Sequence, residues 1–161
     1  KVSPSRACLS NAMNVGHPSN LARFFNLYGG TVDRMGGVHK YPNLEEMRRS
    51  IFSVSISDRE TKETIKRVFD SYGIMLEPHG AVGWKGLEVF LSECGDHSLC
   101  VALETAHPAK FPQEIKELLN LTPELPLSMK DIDKRTGTAF IMPNDYAELK
   151  KYLLEHLRPS N

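Results

Sequence analysis

Leu99-Cys-Val-Ala-Leu103 is an uninterrupted apolar run set between polar segments, and it constrains the fold more than any other stretch. A run of this kind suits a strand covered on both faces, as in a parallel sheet held between layers of helix. Ile51-Phe-Ser-Val-Ser-Ile56 alternates with period two and predicts a second strand. Helical patterns separate and follow these runs, so the chain from 51 to 119 reads as α/β. Two such strands are too few for a self-sufficient sheet. The expected architecture is an incomplete parallel sheet flanked by helices, part of a larger fold.

The helices carry readable start and stop signals. Ser57-Asp-Arg-Glu60 is a capping box, Ile65, Val68, Phe69 and Tyr72 form the stripe behind it, and Gly73 closes the helix. Ser19 or Asn20 is placed to cap an earlier helix with Leu21, Phe24, Phe25 and Tyr28 on one face, stopped by Gly29-Gly30. Gly36-Gly37 marks a turn before a short helix from Leu44 to Arg49. The run Ile74-Met-Leu76 leads through Pro78-His-Gly80 into a helix reaching Phe90. That helix contains Gly80, Gly83 and Gly86, each costing about 1 kcal/mol in a helix interior, so a strand or a ligand is expected close to this face. Pro112 begins a helix with Ile115, Leu118 and Leu119 inward; Phe140-Ile-Met142 predicts a last short strand. Asn144 is placed to cap a final helix with Tyr146, Leu149, Leu153 and Leu157 aligned.

Composition excludes several function classes. Lys plus Arg and Asp plus Glu both number 20, a balance that argues against a general nucleic-acid binder. No apolar stretch approaches the ~20 residues that cross a bilayer, so no membrane span is expected. Cys8, Cys94 and Cys100 lack Cys-x-x-Cys spacing and read as thiols in a reducing cytoplasm. The opening Lys1-Val-Ser-Pro-Ser-Arg6 reads like the middle of a loop. In open parallel sheets ligands sit beyond the C-terminal ends of strands, which is where Thr105 and His107 follow the 99–103 run. A turn-forming Thr in a proline-stabilised loop is the plainer alternative. His79 lies at a loop-to-helix entry, where free helix N–H groups can meet an anion, or else it is structural. His17, His39, His97 and His156 have no partners at metal-ligand spacing, and no metal site is expected. Lys110 lacks neighbours that would lower its pKa and reads as a surface lysine rather than one that captures an aldehyde cofactor. Neither a Gly-rich phosphate cradle nor a nucleophile elbow is present. From these residues alone the chain is an incomplete α/β ligand-binding domain.

Four segments together resemble the bacterial and fungal branch of threonine synthase: the Leu9–Asn20 stretch Leu-Ser-Asn-Ala-Met-Asn-Val-Gly-His-Pro-Ser-Asn, Ser57–Thr61, Glu77-Pro-His-Gly-Ala-Val82 and Glu104-Thr-Ala-His-Pro-Ala-Lys-Phe111. Asn14 stands where the family usually has Asp. Met142–Leu149 is similar too, though a cap plus a stripe is a generic signature. The resemblance implies the C-terminal part of a fold-type-II enzyme dependent on pyridoxal 5'-phosphate, with 1–120 in the large cofactor-binding domain and 121–161 a C-terminal extension. It implies conversion of O-phospho-L-homoserine and water to L-threonine and phosphate, with the cofactor as electron sink. Thr105 is then expected to place its hydroxyl on the pyridine nitrogen, His79 and Gly80 to line the cofactor pocket, and Ser19 and Asn20 to border the substrate cleft. The lysine that holds the cofactor covalently and the loop that holds its phosphate are expected upstream, in the N-terminal remainder of the enzyme. The chain alone is therefore expected to be inactive. A related phospho-lyase making 2-oxobutyrate, and a non-catalytic module binding through an exposed sheet edge, are the competing readings.

Overall fold

The computed structural model describes residues 4–11, 14–16, 18–95, 98–137 and 139–156, and contacts divide the chain into two units, Lys1–Glu124 and Leu125–Asn161. The first unit opens with helix α1 (Asn20–Leu27), strands β1 (Thr31–Val32) and β2 (Val38–Lys40), and helix α2 (Leu44–Ser50). Its centre is built from α3 (Asp58–Tyr72), α4 (Pro78–Cys94) and α5 (Pro112–Leu119).

At α3 the capping box closes as its spacing requires. The Ser57 N–H donates to Glu60 Oε2 at 2.8 Å while the Glu60 N–H donates to Ser57 Oγ at 3.3 Å. Gly73 ends the helix in the left-handed region, at φ 69°. Thr61, Thr64, Ile65 and Val68 form the buried stripe, which packs on both α4 and α5. Phe69 is only half-buried, and Tyr72 lies outside the stripe, its ring tilted against Trp84. Ile65, Val68, Leu76, Ala81 and Ile115 make the core, with Met75, Trp84, Leu118 and Leu119 packed around it. Each fully buried branched side chain contributes about 1.5–3 kcal/mol, so three helices can close around a small centre.

The predicted three-glycine face of α4 resolves into three different surroundings. A Cβ at Gly80 would overlap the Glu104 carboxylate; one at Gly86 would meet Val54 Cγ1 at 3.6 Å; one at Gly83 would stand in open space. Phe52 packs on Phe90 of α4 with ring centroids 5.4 Å apart. Alternate residues of the 51–56 run thus lie on α4, which is the use of its period-two pattern.

The strands differ from expectation. Among the described residues the only ladder is the antiparallel pair β1–β2, with Thr31 opposite Lys40 and Val32 opposite Val38. Its turn is organised by Asp33, whose carboxylate accepts from the N–H groups of Met35 (2.8 Å) and Gly37 (2.9 Å). Neither 51–56 nor 99–103 has a ladder partner among the described residues. Leu99, Val101 and Leu103 are 97%, 77% and 77% exposed. An apolar run becomes a sheet strand only where neighbours supply both ladders and covering helices, and the described residues supply neither. Residues 140–142 likewise form no strand, and the Phe140 ring packs on Tyr152.

In the second unit, two 3-10 turns (Leu127–Met129 and Ile132–Lys134) precede helix α6 (Tyr146–His156). Asp145, not Asn144, caps α6: its Oδ1 accepts the Glu148 N–H at 3.0 Å. Tyr146, Leu149 and Leu153 remain exposed, and Leu157 lies outside the described residues. No helix among the described residues is long and apolar enough to cross a membrane.

Candidate functional site

Pro78 at the first helical position of α4 lets Glu77 act as its N-cap, an unusual residue for that place. Glu77 is wholly buried, and a buried carboxylate is costly unless its lone pairs are used. Its Oε1 accepts the Gly80 N–H at 2.7 Å; its Oε2 accepts the His79 N–H at 2.8 Å and His79 Nδ1–H at 2.6 Å. The positive end of α4 adds to these bonds. Glu77 is therefore the anchor of the turn.

His79 is fixed by the same anchor. Its side chain is 6% exposed and its ring meets Phe111 edge-on at 5.2 Å. With Nδ1 committed to Glu77, Nε2 is left buried without a hydrogen-bond partner among the described residues. Phe111 ends the Glu104–Phe111 run, so this contact joins the two most family-like motifs. Within that run His107 caps the 3-10 turn Pro108–Lys110, accepting the Ala109 N–H on Nδ1 at 3.1 Å, and Ala109 is buried.

The second junction is Glu104. Its carboxyl lies where a Gly80 side chain would stand, facing Glu77. Partial burial, the negative charge of Glu77 and a hydrogen bond with that carboxyl push Glu104 up to about 7 from an ordinary 4.5. Oε1 of Glu77 accepts one backbone N–H and has a second lone pair for a proton on Glu104. Thr105 follows directly, exposed, its hydroxyl in no hydrogen bond with the described residues.

The structure thus brings His79, Gly80 and the Thr105 segment together and leaves Ser19 and Asn20 elsewhere. Ser19 takes helical dihedrals at the N-cap of α1 and makes no side-chain cap bond. Asn20 lines a shallow cleft with Arg23, Phe24 and Leu27. The Leu9–Asn20 motif contributes Ser10 and Asn14 to another cleft, of about 740 Å³, against Ser57, Asp58 and Val82; the Leu9 N–H donates to Asp58 Oδ1 at 3.0 Å. No group of His, Cys, Asp or Glu among the described residues suits a metal ion. Glu77 and Glu104 stand at this turn beside the candidate residues, and neither was chosen from the sequence. A glutamate directly before Pro-His-Gly was the available signal, since proline at the first helical position marks the preceding residue as the cap.

Known proteins are similar to this chain in both sequence and fold. A family model described as threonine synthase, C-terminal, matches residues 80–153. Threonine synthase of Pseudomonas aeruginosa is 34% identical over 115 residues, covering 69% of this chain and 24% of the relative. That of Haemophilus influenzae is 33% identical over 154 residues, covering 92% and 31%. The crystal structure of threonine synthase from Brucella melitensis with bound pyridoxal phosphate superposes with a TM-score of 0.77 at 26% identity, over 98% of this chain and 36% of that one. The chain spans about a third or less of the length of these proteins. What the chain matches, in sequence and in fold, is the C-terminal portion of threonine synthases.

Proposed function

We propose that this chain supplies one wall of the active site of a pyridoxal-phosphate-dependent lyase, a threonine synthase that converts O-phospho-L-homoserine and water to L-threonine and phosphate. The observation that carries this reading is the folding of Glu104–Phe111 onto the Glu77–Gly80 turn, with the Thr105 hydroxyl left outward and uncommitted. A neutral hydroxyl suits a ring nitrogen, because it bonds either protonation state and does not force the nitrogen to hold a proton. When bound, the cofactor supplies the electron sink for loss of phosphate and addition of water.

His79 and Gly80 form the wall behind Thr105, and their bonds to Glu77 keep it rigid. Ser19 and Asn20 border the substrate cleft in this reading, with Arg23 beside Asn20 offering the charge a phosphate ester requires. The N-terminal remainder of the enzyme brings the covalent lysine and the phosphate-binding loop. It also covers Leu99, Val101 and Leu103 as the missing neighbours of that strand.

The test is the full-length gene product, mixed with pyridoxal phosphate and then with O-phospho-L-homoserine. Stoichiometric threonine and phosphate support the reading; 2-oxobutyrate assigns the phospho-lyase reaction instead. The 161-residue chain alone is expected to retain no cofactor absorbance after dialysis. A band that survives dialysis refutes the placing of the covalent lysine elsewhere.

A further inference from the structure

The Glu104 carboxyl stands in the space above Gly80, the one position on α4 where the absence of a side chain admits it. Below it lies Glu77, wholly buried and already bonded to two backbone N–H groups and to His79. Two carboxyl groups at a helix end repel when both are charged and bond when one proton lies between them. Nothing in the Glu77 cap requires a second acid, since the His79 and Gly80 N–H groups and His79 Nδ1–H are satisfied without it. A second acid does tie the chain immediately before Thr105 to the rigid end of α4.

We propose that Glu104 is a positioning residue for Thr105: one proton held between its carboxyl and Glu77 seats the 104–107 segment on the glycine face of α4 and fixes where the Thr105 hydroxyl stands. This rests on the reading of Thr105 as the contact to the cofactor ring. The ionisable groups that act on Glu104 are Glu77 and His79, both at the N-terminus of α4. Above neutrality the seat is occupied by a carboxylate beside a carboxylate, and the segment loosens.

The experiment is ¹³C-methyl threonine NMR of the full-length gene product across pH 5 to 8.5, with the Thr105 signal assigned by its loss in Thr105→Val. The Thr105 methyl is expected to move in one step near neutrality, and the step to vanish in Glu104→Gln, whose amide still donates to Glu77. Steady-state kinetics supply the second readout. Glu104→Ala is expected to lower kcat on the order of tenfold with little change in KM, as displacement of an orienting group does. Glu104→Gln should recover most of that loss and abolish its decline with rising pH. A Thr105 signal flat across the range overturns the proposal, as does a Gln variant no better than Ala. If instead the product shows no cofactor band while the Thr105 step persists, the cofactor reading fails and only the seating of the segment stands.

Discussion

Replacing Glu104 by Gln should stabilise the chain, and by an amount that grows with pH. Below pH 4.5, the ordinary value for a glutamate, the folded and unfolded chains both hold the proton on residue 104. Between 4.5 and about 7 the unfolded chain releases it while the folded chain retains it, so stability falls as pH rises through that window. Above about 7 both are ionised, and the cost of a carboxylate against Glu77 is carried in full. A wholly buried group with this displacement would contribute about 3.4 kcal/mol, at ~1.4 kcal/mol per pH unit. Glu104 is partly solvated, and screening reduces the expected figure to roughly 1 kcal/mol. Gln cannot ionise and keeps a donor toward Glu77, so its curve lacks this component. Asp33 and Glu60 are held below their ordinary values, by hydrogen bonds from the Gly37 backbone and from Ser57 respectively, and they lose stability as pH falls. Both are common to the two proteins and cancel in the difference. Urea unfolding followed by circular dichroism at pH 4.5, 6 and 8 reads that difference. Parallel curves, or a Gln protein that is less stable at pH 8, would refute the reasoning.

Three other perturbations test the frame, each by the shift in urea midpoint. Gly30→Ala places a methyl against the Pro42 backbone, 2.6 Å from its nitrogen, and should cost about 1–3 kcal/mol, whereas Gly83→Ala, facing open space, should be neutral or mildly stabilising. Ser57→Ala removes the acceptor of the α3 capping box and should cost about 1 kcal/mol. Ile65→Ala empties a site shared by α3, α4 and α5 and should cost about 2–5 kcal/mol, with Ile65→Val costing about 0.5–1.5 kcal/mol.

The helices were legible because their signals are local. A capping box at Ser57, a proline at the first position of α5 and a glycine after α3 act within one turn of chain, and the structure places those boundaries where they point. The strands were not legible in the same way, because a strand is defined by what lies beside it. The 51–56 run finds α4 on one side, through Phe52 and Val54, and no ladder. In the 99–103 run, Leu99, Val101 and Leu103 are left uncovered by the described residues. Its apolar content was a statement about neighbours that the described residues do not include. The β1–β2 hairpin was missed for the opposite reason: it is too short to show a period, and its turn is held by Asp33 rather than by an Asn-Gly or Asp-Gly pair.

At the site, sequence reasoning selected residues by their chemistry and the structure sorts them by their freedom. His79 looked available because it stands at a helix entry, yet Glu77 and Phe111 hold its ring and bury it. Gly80 looked like room for a ligand, yet the room belongs to Glu104. Thr105 has neither constraint, and its hydroxyl faces outward at the end of the run. Beneath it lies a pair of acids, Glu77 and Glu104, that open the two motifs but were not picked out for their chemistry, one capping a helix and one filling the gap above a glycine. Such a pair has no sequence period, because its members lie on separate segments and meet only when α4 and the 104–111 run pack together. A hydroxyl can serve as a fixed contact only if the backbone beneath it is held, and in the proposal above that holding falls to Glu77 and Glu104.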